Sequence, residues 1–96
     1  MPNITNKDCH KDGSGSNYIA SCDVAAGQGE TLTWVFVIIY PASNPSQTNM
    51  CSLGDQGNGH YASSAVFPPM GSSGPYKAKF RVQYSANYDS AEIDVT

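Results

Sequence analysis

Three thiols (Cys9, Cys22, Cys51), two imidazoles (His10, His60) and eight carboxylates are the groups from which this chain would have to build a nucleophile, a general base or a metal site. Cys9-His10, with Asp12 close by, can be written as a thiol site or as one corner of a metal site, and His60 can be joined to Cys51 or Asp55. Nucleophilic catalysis needs a base oriented by a third group, and no neighbouring residue supplies that orientation. A flexible N-terminal turn is the simpler reading of the first cluster. The chain contains no G-x-S-x-G, no H-E-x-x-H and no phosphate loop. Its cysteines lie too far apart for a zinc motif, which uses close pairs. The carboxylates, at positions 8, 12, 23, 30, 55, 89, 92 and 94, are scattered without the spacing of a calcium loop. Asp55 and Asn58 in GDQGNG offer oxygen ligands, but so many glycines make a turn the simpler reading. The expectation is a non-enzyme with no catalytic residue, no cofactor and no metal.

Composition narrows the partners. A chain of 96 residues with a net charge of −3 is the size of one domain, spanning 1–96. It lacks the clustered cations that neutralise phosphates, so nucleic acid is not an expected partner. No run approaches the ~20 apolar residues of a transmembrane helix. The start, MPNITNKDCHK, has no apolar signal-peptide core. With Gly, Ser, Asn, Thr and Tyr plentiful, the composition suits an extracellular or cell-surface domain whose signal peptide has been removed. A cytoplasmic location is the alternative. In an oxidising compartment three cysteines give one disulfide and one thiol, and Cys9–Cys51 would close a long loop; in a reducing one all three are free. Asn3-Ile4-Thr5 is a glycosylation sequon.

Any such surface must be positioned by strands. Turn clusters interrupt every window long enough for helical periodicity. The spacing predicts strands over 2–7, 18–25, 31–40, around 50–53, 61–67, 76–84 and 91–95, with KDGSGSN (11–17), AGQG (26–29) and GSSGP (71–75) as turns and most of 41–60 as loop. In YKAKFRVQY, Tyr76, Ala78, Phe80, Val82 and Tyr84 alternate with Lys77, Lys79, Arg81 and Gln83, so one face is buried and one is wet. Pairing Tyr84 with Ala91, Val82 with Ile93 and Phe80 with Val95 keeps the apolar pairs together and sets Arg81 opposite Asp94. TLTWVFVIIYP is apolar on both faces: Leu32, Trp34, Phe36, Ile38 and Tyr40 on one, Val35, Val37 and Ile39 on the other. The larger set is expected to point inward.

Cys22 in mid-strand, Trp34 twelve residues later on the next strong strand, and Tyr76 at the start of the 76–84 strand together resemble the immunoglobulin-like family. Tyr76 matches the family's tyrosine corner. The position two residues on, where the partner cysteine is expected, holds Ala78, so the inter-sheet disulfide is missing. The resemblance covers residues 18–96. It implies an all-β, antiparallel two-sheet sandwich of six to seven strands, immunoglobulin-like or fibronectin-like, and binding more often than catalysis.

Two surfaces follow. The loops carry Gln28, Glu30, Asp55, Asn58, Tyr61, Asn87 and Tyr88, types that recur in recognition loops. The stripe Val35, Val37, Ile39 is either covered from within the chain or forms a partner or homodimer surface. The expected function is a non-catalytic recognition or adhesion-type module for a protein or carbohydrate ligand. The alternative is a small secreted effector or inhibitor, for which that stripe is the surface if it is a homodimer.

Overall fold

In the computed structural model, residues 2–13 and 16–96 are described; Ser14 and Gly15 of the predicted 11–17 turn lie outside the described residues. The described residues contain no helix, and so none long and apolar enough to cross a membrane. They form β1 (Asn3–Lys11), β2 (Tyr18–Ala25), β3 (Trp34–Pro41), β4 (Asn49–Ser52), β5 (Gly54–Gly57), β6 (His60–Val66), β7 (Tyr76–Gln83), β8 (Asn87–Asp89) and β9 (Ile93–Asp94). Two antiparallel sheets result, β1-β2-β6-β5 and β4-β3-β7-β8, with β9 paired to β7 below β8. The architecture is an all-β two-sheet sandwich.

The inner faces meet in a core of small and β-branched side chains. Ile4, Cys9, Ala20, Cys22, Val24 and Val66 come from the first sheet; Val35, Val37, Ile39, Ala78, Phe80 and Val82 come from the second. Ile4 and Cys9 are five positions apart, an odd spacing that would put them on opposite faces of a regular strand. A bulge between Thr5 and Asp8, with Asn6 at φ 52°, resets the alternation so that both point inward.

The β3 face assignment is reversed. Val35, Val37 and Ile39 are 2, 0 and 0% exposed, whereas Trp34 is 55% exposed and no part of the core. The reason lies in β7, whose alternation is unambiguous. The β3–β7 register sets Val35, Val37 and Ile39 opposite Val82, Phe80 and Ala78, so the smaller stripe shares the buried face. The outer stripe sits opposite the cations of β7: Phe36 by Arg81, Ile38 by Lys79, Tyr40 by Lys77. Their aliphatic stems, with Met50 on β4, cover Ile38 and leave the charged heads wet. The Tyr40 hydroxyl donates to Glu92.

The last hairpin also differs from its predicted register. Arg81 pairs with Asp89, Val82 with Tyr88 and Gln83 with Asn87, while Ala78 pairs with Ile93. The register slips between β8 and β9 at Ser90, whose N–H donates to Phe80 O and whose Oγ accepts from Phe80 N (2.8 and 2.9 Å). The cations keep their expected role with other partners. Arg81 forms a two-point pair with Asp89 (2.7 and 3.0 Å), and Lys77 reaches Asp94 at 2.7 Å.

No disulfide joins the described cysteines: all three are free. Cys9 and Cys22 are buried, and burial, the largest cause, pushes both thiols up to about 12. Ellman's reagent is therefore expected to titrate Cys51 in the folded protein and all three thiols after denaturation. The same burial sets an alkaline limit. Unfolding lets each thiol ionise near its ordinary 9.0, so stability is intact below that pH and is lost as pH rises toward 12. Thermal melts from pH 8 to 10.5 should show that fall, and Cys22→Val should reduce it.

Candidate functional site: the loop end of the sandwich

Strand directions gather three connections at one end. Asp23, near the end of β2, pairs with His60 at the start of β6; Trp34, at the start of β3, pairs with Gln83 at the end of β7; and Gln83 pairs with Asn87. The β2–β3 connection (26–33), the Asn58–Gly59 turn and the β7–β8 turn (84–86) therefore share that end. Of the sequence-predicted loop residues, Gln28, Glu30, Asp55, Asn58, Tyr61 and Asn87 all lie at or beside it. Tyr88 does not join them: it stands opposite Val82 and packs against the core. The 42–48 and 67–75 connections lie at the opposite end, with Phe67 and the almost wholly exposed Met70.

Local bonds hold the loop-end residues. Gly57 pairs with His60 across Asn58 (φ 55°) and Gly59 (φ 79°), and positive φ at both central residues is a type I′ hairpin turn. Gly59 O accepts from Val24 N at 2.8 Å, tying the turn to β2. The Glu30 carboxylate accepts from Gly27 N at 2.6 Å, closing its own loop.

A change of sheet in mid-chain opens the cleft beside Trp34. β4 pairs Phe36 with Ser52, a register that would next set Trp34 opposite Gly54. Instead Gly54 pairs with Ala62 in the other sheet, and buried Leu53 is the pivot, with its N–H bonded to Val35 O at 2.8 Å. β3 thus loses its neighbour at Trp34. A cleft of about 310 Å³ opens there, lined by Leu32, Thr33, Trp34, Leu53, Asp55 and Tyr61. Asp55 is paired with Tyr61, and its Oδ1 accepts from Gly57 N at 2.8 Å, which fixes the carboxylate. Burial, more than the nearby Asp55 charge, raises the Tyr61 hydroxyl above its ordinary value. A second groove of about 370 Å³, lined by Glu30, Thr31, Tyr84 and Ser85, shares Thr33 with the first.

On the outer face Trp34 stacks on Phe36, with ring centroids 6.3 Å apart and planes 21° apart. The cross-strand row runs Trp34, Gln83, Asn87. Below it the second row, Phe36, Arg81, Asp89, is closed by the ion pair, which holds the Asp89 carboxyl below the usual range. Sequence reasoning missed Trp34 and Gln83. The size of Trp34 pointed to burial, and what overrules it, the pairing with Gln83 on the wet side of β7, is a long-range register that the sequence does not carry.

The chemical clusters read from sequence are taken apart. Cys9 points into the core while His10 points outward and meets Asp8 at 2.6 Å, as strand neighbours must alternate. His60 meets neither Cys51 nor Asp55; its Nδ1 lies 2.7 Å from Asp23 Oδ1. Asn6, then His60, holds the Asp23 carboxyl below its ordinary value. Among the described residues no group of three His, Cys, Asp or Glu side chains is placed to hold a metal ion. No protein-family model, curated protein or solved structure matches this chain.

Proposed function

We propose that the chain is a non-catalytic recognition module that binds its ligand at the loop end of the sandwich. The exposure of Trp34 carries the reading: a large aromatic stands in water at the end where three connections gather, beside the first cleft. Trp is enriched among residues that dominate binding energy. An immunoglobulin-like identity for the sandwich is part of the same proposal and agrees with it. The orders β1-β2-β6-β5 and β4-β3-β7-β8 match the family's two sheets with an added edge strand, while Tyr76, at the tyrosine-corner position, bonds to the Ser72 side chain (3.0 Å) where the family's tyrosine bonds to backbone. The reading implies a place outside the cell or on its surface. A homodimer through Val35, Val37 and Ile39 is no part of the reading, because all three side chains are core.

The test is to present the purified protein to glycan and extracellular-protein arrays, then to compare two double variants on whatever binds. Trp34→Ala with Asn87→Ala should weaken binding about tenfold or more, a loss of ~1.4 kcal/mol, while Phe67→Ser with Met70→Ser, at the opposite end, leaves it unchanged. Silence on both arrays, or loss only with the opposite-end pair, counts against the reading.

A further inference from the structure

We propose that the loop end takes a neutral saccharide, one sugar ring stacked on Trp34 with its hydroxyls met by Gln83 and Asn87. The inference rests on the recognition reading and names its ligand class. A pyranose presents a face of C–H bonds, weakly positive, and a rim of hydroxyls. The indole presents the complementary negative π face. Trp34 is already oriented by its stack on Phe36, so little side-chain freedom is lost on binding.

The polar groups around it match hydroxyls. A hydroxyl both donates and accepts, and the amides of Gln83 and Asn87, next along the Trp34 row, also do both. Charge argues for a neutral sugar. The cations of this face lie below the platform and are taken: Arg81 and Lys79 by Asp89, Lys77 by Asp94 and Glu92. An anionic ligand would find no open cation on that sheet face.

Size separates sugar from protein. A stable protein interface needs about 800 Å² per partner around an apolar centre. On this face the exposed apolar surface is Trp34 with part of Phe36, and half-exposed Met50 stands beside Ile38 two rows below; a ring offers about 150–250 Å². The cleft, about 310 Å³, is at the small end of ligand pockets (~300–1,000 Å³).

Trp34 is the chain's one tryptophan, so its emission reads this site directly. The probes are hexamers of β-1,4-glucose, β-1,3-glucose, β-1,4-mannose, β-1,4-xylose and N-acetylglucosamine, with hexagalacturonate as the anionic control. At least one neutral hexamer should give a saturable blue shift with half-saturation at or below about 1 mM. By calorimetry Trp34→Ala should lose that binding about twentyfold or more, Trp34→Tyr should retain it within about tenfold, and Asn87→Ala should weaken it about fivefold. No shift from any neutral hexamer at about 10 mM, binding of hexagalacturonate alone, or an unchanged affinity in Trp34→Ala overturns the proposal. If the saccharides are silent while a protein ligand on the arrays depends on Trp34, the sugar falls and the recognition module stands. Silence in both removes both.

Discussion

Val37→Lys is expected to leave the protein unfolded at room temperature, with no cooperative melt by circular dichroism and no dispersed amide signals by NMR. Val37 is 0% exposed, in the middle of β3, flanked by Cys51 on β4 and Phe80 on β7 and facing the other sheet. A lysine there cannot lead its ammonium to water, because hydrogen-bonded strands lie on both sides. The variant loses about 1.5–3 kcal/mol of valine burial, and a buried unpaired charge costs several kcal/mol more. A protein of this size has only ~5–15 kcal/mol in total. Trp34→Ser is the contrast. It gives up an exposed ring and a stacking contact of about 0.5–1.5 kcal/mol, so the variant should fold and melt only slightly earlier. A folded Val37→Lys that merely changed its self-association would put the stripe back on the surface.

Gly59→Ala should lower stability by about 2–4 kcal/mol, through two causes that act together. The residue sits at φ 79°, and a Cβ would stand 2.8 Å from Val24 O. Moving the turn away is not free either, since Gly59 O accepts from Val24 N. For a chain of this size the loss corresponds to a Tm decrease of roughly 10–25 °C. Gly29→Ala separates the causes: its φ is 78°, but nothing lies within 4 Å of the added Cβ. Only the backbone strain remains there, about 1 kcal/mol. Equal losses at the two sites would mean that the approach to Val24 does not matter.

What could be read from sequence depended on whether a strand had one apolar face or two. β7 has one, and its wet side of Lys77, Lys79, Arg81 and Gln83 stands where the alternation put it. β3 has two, and period alone cannot choose between them. The choice is made by pairing with β7, a long-range fact that side-chain size does not report. Opposite charges on the last hairpin were a sound guide to its wet face but not to its register. Three cations and three carboxylates allow several matchings, and the slip at Ser90 selects one of them. The bulge at Asn6 and the strand GDQG left no apolar trace to follow. At the loop end, Asp55, Tyr61 and Asn87 were legible because polar and aromatic turn residues advertise themselves. Trp34 and Gln83 were not, because their meaning comes from the neighbour each has across the sheet.

The last residue of the chain bonds along β1 rather than along its own sheet: Thr96 N donates to Cys9 O and Lys11 N donates to Thr96 O, both at 3.1 Å. The two stretches run in the same direction, with Asn3 at the loop end and Thr96 at the other. A pull that separates Asn3 from Thr96 slides β1 along its neighbours, so these bonds and the β1–β2 ladder carry the load at once, in shear. A pull between Asn3 and its partner Ala25 peels the same ladder one bond at a time. Forced unfolding follows the barrier along the pulled direction rather than the equilibrium stability. The expected response to force is therefore anisotropic: pulling between Asn3 and Thr96 should need a higher force than pulling between Asn3 and Ala25.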